Sequence, residues 1–181
     1  MLGTIREFKF KVIKNFFTPE EIKILSLYTD IFHRNNYVNF SQDPQSDNHD
    51  THCYKDILME TMLALKIKKV EEETGLEVLP SYSFWRMYTY GADLKIHKDR
   101  PSCEISITAL IQKDKDWPIY MDGKEILLSA GDAVVYLGAE LEHYRKEYDG
   151  DFQSQVFMHY VDKNGPYADF VFDKKPGLGG K

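Results

Sequence analysis

The stretch YTYGADLKIHKD, residues 88–99, decides how the rest of the chain is interpreted. It ends in His97-Lys98-Asp99. If this segment is a strand, His97 and Asp99 point to the same side, because successive side chains of a strand alternate between its two faces. An imidazole and a carboxylate are ligands that d-block metal ions accept. The stretch therefore predicts part of a metal site, which a further histidine would complete.

His143 is the predicted third ligand. It lies 46 positions after His97 and is separated from it by several segments that look like strands. Two histidines and one carboxylate on one side of a metal leave open positions on Fe(II) for substrate and oxygen. His159 is the alternative distal ligand, so the residues alone leave two candidates for the third position.

The composition limits the class of protein. A chain of 181 residues is long enough for one domain with a full core and short for two. The formal net charge of −6 argues against nucleic-acid binding through a broad basic surface. No apolar run approaches the roughly 20 residues of a membrane span, and the start MLGTIREFKF lacks the apolar segment of a signal peptide. We expect a cytoplasmic domain in which Cys53 and Cys103 are free thiols.

The first 80 residues predict one strand and two helices. Residues 7–13 alternate apolar side chains with lysines, which is the period of a strand. Thr18-Pro19-Glu20-Glu21 has the pattern of a capping box and predicts the start of a helix. Its packing face would carry Ile24, Leu27, Tyr28 and Ile31. A second helix is predicted over residues 54–74, with Gly75 ending it.

A polar segment over residues 35–53 separates the two predicted helices. It has no hydrophobic period and predicts a long loop. His49, His52 and Cys53 lie at its end and resemble a metal-binding cluster. Structural zinc needs about four ligands, and no second pair follows at a suitable spacing. We therefore interpret the three as polar residues before a helix, and the role of the loop stays open.

After Pro80 the chain consists of short aromatic and β-branched segments separated by turn residues. The last of these predicted strands is ADFVFD, residues 168–173. Two helices followed by a run of strands predict an α+β domain that is mainly β, whose core is a sandwich or barrel closed by its own strands. We expect one domain over residues 1–175 and a flexible tail over 176–181.

The sequence resembles the iron- and 2-oxoglutarate-dependent oxygenases, most closely the prolyl 4-hydroxylase-like branch. The branch has a tyrosine, a glycine three residues later and an H-x-D motif six residues after the glycine, which Tyr88, Gly91 and His97-Lys98-Asp99 match. A Gly-Asp pair then precedes an apolar strand, as Gly131-Asp132 does here. The resemblance spans roughly residues 8–161.

The resemblance implies a fold, an activity and a set of ligands. The fold is a double-stranded β-helix, or jelly roll, with two N-terminal packing helices. The metal ligands and catalytic residues would be His97, Asp99 and His143, since the family's spacing from Gly131 favours His143 over His159. The cofactors would be Fe(II), 2-oxoglutarate and O2. The activity would be hydroxylation of an unidentified peptidyl residue or small metabolite, coupled to oxidative decarboxylation of 2-oxoglutarate to succinate.

The distal carboxylate of 2-oxoglutarate needs an anchor, preferably a cation. The branch has a lysine ten residues after the distal histidine, where this chain has Gln153. A neutral amide binds a carboxylate less strongly than a cation does. Arg145, two positions after His143 on one strand face, is the leading substitute, and Arg86 and Arg100 are the alternatives.

Tyr88 matches the family tyrosine that hydrogen-bonds the same carboxylate, which makes it a further predicted 2-oxoglutarate ligand. Each of the arginines could instead be an exposed residue or a partner across strands, and Tyr88 could be an ordinary core aromatic.

Two other functions are compatible with the sequence. One is a cupin-like metal enzyme that does not use 2-oxoglutarate, although the paired histidines and glutamate of that pattern are not found. The other is a non-catalytic jelly-roll binding module. The complete ligand set argues against such a module, and the missing lysine argues for it.

Overall fold

The structure, a computed structural model, describes residues 3–36 and 50–180. Its helices are α1 (Ile5–Phe8), α2 (Pro19–Asn36), α3 (Ile57–Leu65) and α4 (Ile67–Thr74). Its strands are β1 (Phe10–Ile13), β2 (Asp50–Tyr54), β3 (Val78–Thr89), β4 (Leu94–His97), β5 (Ile105–Lys113), β6 (Ile119–Met121), β7 (Lys124–Ile126), β8 (Ala133–Leu137), β9 (His143–Arg145) and β10 (Phe152–Asp162). Two 3₁₀ segments cover Pro101–Cys103 and Ala168–Lys174.

The strands form two antiparallel sheets. The major sheet has six strands in the order β1-β8-β5-β10-β3-β2, and the minor sheet has four in the order β4-β9-β6-β7. From β3 onward the chain passes repeatedly between the two sheets, which is the arrangement of a jelly roll. The predicted fold class, α+β and mainly β with a jelly-roll core, is confirmed.

The molecule has three layers, because the major sheet is apolar on both faces. Its outer face packs against the helices through a buried cluster that includes Trp85, Ile107, Val156, Met158, Leu25 and Leu63. Its inner face meets the minor sheet through Leu110, Val134, Tyr136, Ile119 and Met121. Each such side chain contributes about 1.5–3 kcal/mol when it is fully buried. The space between the sheets is where the predicted ligands lie.

The start of α2 is confirmed. Thr18 N donates to Glu21 Oε2 at 2.8 Å, and Glu21 N donates to Thr18 Oγ1 at 3.2 Å, which is a capping box. Of the four residues predicted for its packing face, only Tyr28 packs inward. Ile24, Leu27 and Ile31 are exposed.

The helix packs instead through the stripe that contains Leu25, Thr29 and Phe32. Tyr28 and Phe32 place their rings against Trp85 of β3, with centroid distances of 6.4 and 5.0 Å. Burial of these aromatic rings decides which face of α2 turns inward, because large aromatic side chains gain most from burial.

The second predicted helix begins later than expected and is interrupted. Residues 50–54 form β2, which pairs with β3, so Tyr54 belongs to a strand. Asp56 then caps α3 by accepting hydrogen bonds from Leu58 N and Met59 N. Lys66 separates α3 from α4. The predicted end is confirmed, because Gly75 follows α4 with φ 70°, where a glycine is favoured.

Two other strand predictions need correction. Glu7 and Phe8 lie in α1, so the first strand covers only Phe10–Ile13. Residues 168–173 form 3₁₀ turns rather than a strand, because Phe172, Asp173 and Lys174 have φ of 54°, 56° and 59°, which is incompatible with extended backbone.

The chain end makes contacts with the domain. Lys55 Nζ donates to the carbonyls of Phe172 and Gly177 at 3.1 and 3.0 Å, and Gly179 N donates to Glu60 Oε2 at 3.0 Å. The mobility of residues 176–181 and the boundary at residue 175 stay predictions.

Most of the predicted loop over residues 35–53, including His49, lies outside the described residues. Among those described, no helix is long and apolar enough to cross a membrane.

Candidate metal and co-substrate site

The strand register brings the three predicted metal ligands together. β4 and β9 pair so that His97 lies directly opposite His143. Asp99 follows β4 and is fixed by its own backbone, because Asp99 N donates to the carbonyl of Gly138 at 2.9 Å. One ligand atom from each of the three side chains lies within 4.8 Å of the other two. The H-x-D motif and a histidine 46 residues later thus form one cluster.

Backbone carbonyls fix the orientation of both histidines. His97 Nδ1 lies 2.7 Å from the carbonyl of Lys95, and His143 Nδ1 lies 3.0 Å from that of Leu141. Since a carbonyl can only accept, each Nδ1 carries a hydrogen, and in the neutral imidazole each Nε2 therefore has the lone pair that a metal ion needs. Both Nε2 atoms lie 3.5 Å from Asp99 Oδ1. Three electron-pair donors therefore converge on one point.

Asp99 is held as a carboxylate. Burial acts to raise its pKa, but hydrogen bonds that the carboxylate accepts from the protonated forms of His143 and His97 outweigh burial, and the pKa lies well below its usual range. For His97, burial acts to lower the pKa, but the bonds to Asp99 and to the Lys95 carbonyl dominate and raise it. Asp99 Oδ2 lies 3.1 Å from the hydroxyl of Ser106, which orients the carboxylate and leaves Oδ1 toward the histidines.

Gly138 is required by the close packing behind Asp99. A Cβ at this position would lie 2.4 Å from the carbonyl oxygen of Cys103, 2.5 Å from Asp99 Oδ2 and 2.6 Å from Ser106 Oγ. Sequence reasoning identified neither Ser106 nor Gly138. A glycine directly after an apolar strand was the only available signal for Gly138, and nothing in the sequence marked Ser106.

His159 does not join the two other histidines. It is grouped with Asp99 and Cys103, and its Nδ1 lies 2.9 Å from Ser106 Oγ. Burial lowers the pKa of His159 to about 4, which keeps it neutral near pH 7. Burial also raises the pKa of the Cys103 thiol to about 12. A thiol that stays protonated is a poor metal ligand, so this second group is less suited to a metal ion.

Arg145 is a buried cation with an incomplete set of partners. Its side chain lies on β9, and the residue is 3% exposed. The guanidinium lies 4.7 Å from the centre of the Trp117 ring and donates to the Trp117 carbonyl and, at 2.8 Å, to Gln155 Oε1. Its Nε is buried and has no hydrogen-bond partner among the described residues.

No carboxylate of the described residues forms an ion pair with Arg145. Burial lowers its pKa to about 10, partly offset by the phenols of Tyr88, Tyr136 and Tyr148. The group is therefore charged at neutral pH. A buried charge without a counter-ion costs several kcal/mol, and an anion bound beside Arg145 would remove that cost.

The other anchor candidates differ from Arg145 in their surroundings. Arg86 forms an ion pair with Asp50, and Arg100 pairs with Asp173 at 2.9 Å. Each of these arginines therefore already faces a carboxylate. Gln153 is buried on β10 opposite Tyr88 and Lys113. Arg86 and Arg100 line the cavity described next, whereas Gln153 and Arg145 lie behind its wall.

A cavity of about 400 Å³ opens over the three ligands. Tyr88, Leu94 and Tyr136 line it together with His97, Asp99 and His143. The rest of the wall consists of four aromatic side chains, three cations, a histidine and a cysteine: Tyr54, Tyr82, Phe84, Phe157, Arg86, Lys98, Arg100, His159 and Cys103. His52 packs its ring on Phe84 at 5.2 Å, on the edge strand β2. Among the described residues, neither His52 nor Cys53 belongs to a metal-binding cluster.

Solved structures with the same fold include several 2-oxoglutarate- and Fe(II)-dependent enzymes. A prolyl-4-hydroxylase from Pseudomonas putida is 16% identical over 85% of this chain and 92% of its own, with a TM-score of 0.61. An oxidoreductase of the 2OG-Fe(II) oxygenase family from Burkholderia pseudomallei is 14% identical, with 89% of each chain covered and a TM-score of 0.63. HygX from Streptomyces hygroscopicus, solved with nickel and 2-oxoglutarate bound, is 9% identical over 86% and 84% of the two chains, with a TM-score of 0.64.

The TM-scores show that this chain has the jelly-roll fold of the 2-oxoglutarate- and Fe(II)-dependent oxygenases. At identities this low, the similarity establishes the fold alone. No protein-family model matches the chain, and no curated protein sequence matches it.

Proposed function

We propose that the protein is an Fe(II)- and 2-oxoglutarate-dependent dioxygenase that hydroxylates a small metabolite or a peptidyl residue. The observation that carries this proposal is the convergence of His97 Nε2, His143 Nε2 and Asp99 Oδ1 in a cavity. The fold, shared with 2-oxoglutarate-dependent oxygenases, agrees with this function.

The donor set fits Fe(II). Two neutral imidazoles and one carboxylate suit a divalent d-block ion, and they leave part of its coordination sphere open. Bound there, Fe(II) would supply the oxidative chemistry that converts 2-oxoglutarate and O2 to succinate and carbon dioxide while a substrate C–H bond is hydroxylated. The chain's own contribution is to hold the imidazoles in one tautomer through Lys95 and Leu141 and to orient Asp99 through Ser106.

Arg145 is the proposed anchor for the distal carboxylate of 2-oxoglutarate. A dicarboxylate that uses one end at the metal would present the other end to a cation, and Arg145 lies two residues from His143 on β9. Trp117 and Gln155 fix the guanidinium, so little conformational freedom is lost on binding. Tyr88, whose ring lies 5.0 Å from that of Trp117, is the proposed second ligand of this carboxylate.

The size and lining of the cavity support a small reacting group. About 400 Å³ lies at the lower end of the range for ligand pockets and would have to hold both 2-oxoglutarate and the group that reacts. This volume favours a small metabolite or one side chain of a peptide. Tyr54, Tyr82 and Phe84 give the cavity wall an aromatic surface that would exclude water from the reaction.

The two alternatives each lack a specific supporting observation. A cupin-like enzyme without 2-oxoglutarate would have no use for a buried arginine that lacks a carboxylate partner among the described residues. A binding module would not need two histidines fixed in the tautomer that exposes Nε2. The cytoplasmic location and the absence of nucleic-acid binding stay predictions.

Succinate formation tests the proposed function. The purified protein is incubated with Fe(II), 2-oxoglutarate and O2, and succinate is measured with and without each component. We expect succinate only when all three are present, and its loss in His97→Ala and Asp99→Ala. Retention of wild-type succinate formation by both variants would rule out the proposed site.

A further inference from the structure

The helical layer carries an exposed apolar surface. Eight large hydrophobic side chains are exposed among the described residues, and five of them lie on α2 and α3. These five are between 52% and 68% exposed: Ile24, Leu27, Ile31, Ile57 and Leu65. Single exposed aliphatic residues are common, but a cluster of them marks an interaction surface. We call these five residues the α2–α3 patch.

Two polar contacts link α2 to the ends of α3. Lys66 Nζ pairs with the carboxylate of Glu21 at 2.7 Å, so the start of α2 lies beside the end of α3. The Tyr28 hydroxyl donates to Asp56, so the middle of α2 lies beside the start of α3. The two helices therefore run antiparallel in the same layer, and both contribute exposed aliphatic side chains to it.

The exposed face of α2 has the spacing of a helix-pairing seam. Its exposed positions include Glu20, Ile24, Leu27, Ile31 and Arg34, which follow one another at intervals of four, three, four and three residues. This alternation is the pattern with which two helices pack along each other. The centre of the seam is apolar, and its two ends carry opposite charges.

We propose that the α2–α3 patch is the interface of a homodimer in which α2 packs antiparallel to α2 of a second copy. Leu27 is seven residues from both Glu20 and Arg34. A two-fold axis at Leu27 therefore places Glu20 beside Arg34 of the partner subunit at both ends of the seam. A parallel arrangement would place like charges together. Charge complementarity thus selects a second copy of this chain as the occupant, with the self-complementary contacts of a two-fold interface.

This interface leaves the cavity accessible. The α2–α3 patch belongs to the layer that covers the outer face of the major sheet, whereas the proposed metal ligands lie on its inner side, against the minor sheet. α2 has 18 residues and is therefore about 27 Å long. A face of this size is small for a permanent dimer, so we expect an equilibrium that depends on protein concentration.

Sedimentation velocity of the full chain tests the interface. Over about 1–200 µM we expect the wild type to pass from monomer to dimer. Leu27→Glu places two like charges on the axis and should raise the dissociation constant by roughly 30-fold or more. The matched control is Leu127→Glu, since Leu127 is 47% exposed and lies outside the α2–α3 patch. A wild type that stays monomeric throughout, or a dimer unaffected by Leu27→Glu, overturns the proposal.

A charge exchange tests the antiparallel geometry. Glu20→Arg and Arg34→Glu should each weaken the dimer by about threefold to fivefold, and the double variant should restore it. Each single change lowers the stability of α2, because it places a cation at the N-terminus or an anion at the C-terminus of the helix dipole, and the double variant carries both losses. Restoration therefore cannot come from a more stable helix, and circular dichroism verifies folding in every variant. A double variant as weak as the single variants overturns the proposal.

Discussion

At the scale of single residues, the site depends on how Asp99 is supported. Its Oδ1 faces two histidines, and its Oδ2 lies beside the Ser106 hydroxyl in space that only a glycine at position 138 leaves open. A carboxylate that is fixed in this way loses little freedom when it binds a metal.

Gly138→Ala should weaken metal binding. The added Cβ would collide with Asp99 Oδ2 and Ser106 Oγ and turn the carboxylate away from the histidines. We expect a loss of about 10-fold to 100-fold in affinity, measured by titration with Mn(II) as a redox-stable substitute. Gly177→Ala is the control, because a Cβ there meets nothing within 4 Å. Unchanged Mn(II) affinity in Gly138→Ala would show that Asp99 does not depend on this packing.

Arg145→Gln should raise the concentration of 2-oxoglutarate needed for half-maximal succinate formation. Loss of charge-assisted hydrogen bonds worth about 1.5–3 kcal/mol corresponds to an increase of roughly 10-fold to 150-fold. Gln153→Ala is the matched control and should change the requirement less, because a neutral amide binds a carboxylate less strongly than a guanidinium does. A larger increase in the 2-oxoglutarate requirement for Gln153→Ala than for Arg145→Gln would assign the anchor to Gln153.

His159→Gln should reduce the sensitivity of the folded state to acid. Burial lowers the pKa of His159 from 6.5 to about 4 in the folded protein. Between these two pH values the unfolded chain binds one more proton than the folded chain, so stability falls as the pH falls. We expect His159 to account for about 3 kcal/mol of the decrease in the free energy of unfolding between pH 7 and pH 4.

The measurement is the free energy of unfolding from urea titrations at pH 7 and pH 4, with a chelator present. The wild type should lose more stability between the two pH values than His159→Gln does. Equal losses would show that His159 is not buried in its neutral form.

At the scale of elements, the sequence predicted two helix ends, because each of them is determined by residues close to it in the chain. The capping box at Thr18 and the glycine after α4 were predicted because their partners lie within a few residues. The inward face of α2 was not predicted, because the helix has two overlapping apolar stripes and distant residues of the sheet, such as Trp85 on β3, select between them. The polar strand β2 was missed for a similar reason, since its partner strand β3 lies more than 30 residues away in parts of the pairing.

Asp56→Ala should destabilise the helical layer. Asp56 caps α3 and also accepts a hydrogen bond from Tyr28 of α2, so its loss affects two elements. We expect a cost of about 1–2 kcal/mol in urea unfolding at neutral pH. Asp151→Ala, which changes an exposed aspartate, should stay within about 0.5 kcal/mol of the wild type. Equal stabilities for Asp56→Ala and the wild type would contradict the capping role.

At the scale of the whole molecule, the fold class and the grouping of three ligands could be anticipated from the sequence, whereas the anchor could not. An H-x-D motif that begins on the last residue of a strand and a distant histidine on its antiparallel partner strand meet through the pairing, as His97 and His143 do. The three arginines look alike in the sequence. They are distinguished by carboxylates such as Asp50 and Asp173, which lie 36 and 73 residues from the arginines they pair with.

The two proposed surfaces are independent of each other. The cavity lies between the sheets, and the α2–α3 patch lies on the outside of the helical layer. Loss of the dimer in Leu27→Glu should therefore leave succinate formation close to the wild-type rate, and Asp99→Ala should leave the dimer intact. A common loss of both properties in either variant would point to general unfolding.

The most direct test of the central claim is the anaerobic addition of Fe(II) followed by 2-oxoglutarate, monitored by visible absorption. The proposed site predicts a charge-transfer band that requires both components, is absent in Asp99→Ala, and needs more 2-oxoglutarate in Arg145→Gln. The absence of a band in the wild type, or an undiminished band in Asp99→Ala, would contradict the claim that these residues hold Fe(II) and 2-oxoglutarate together.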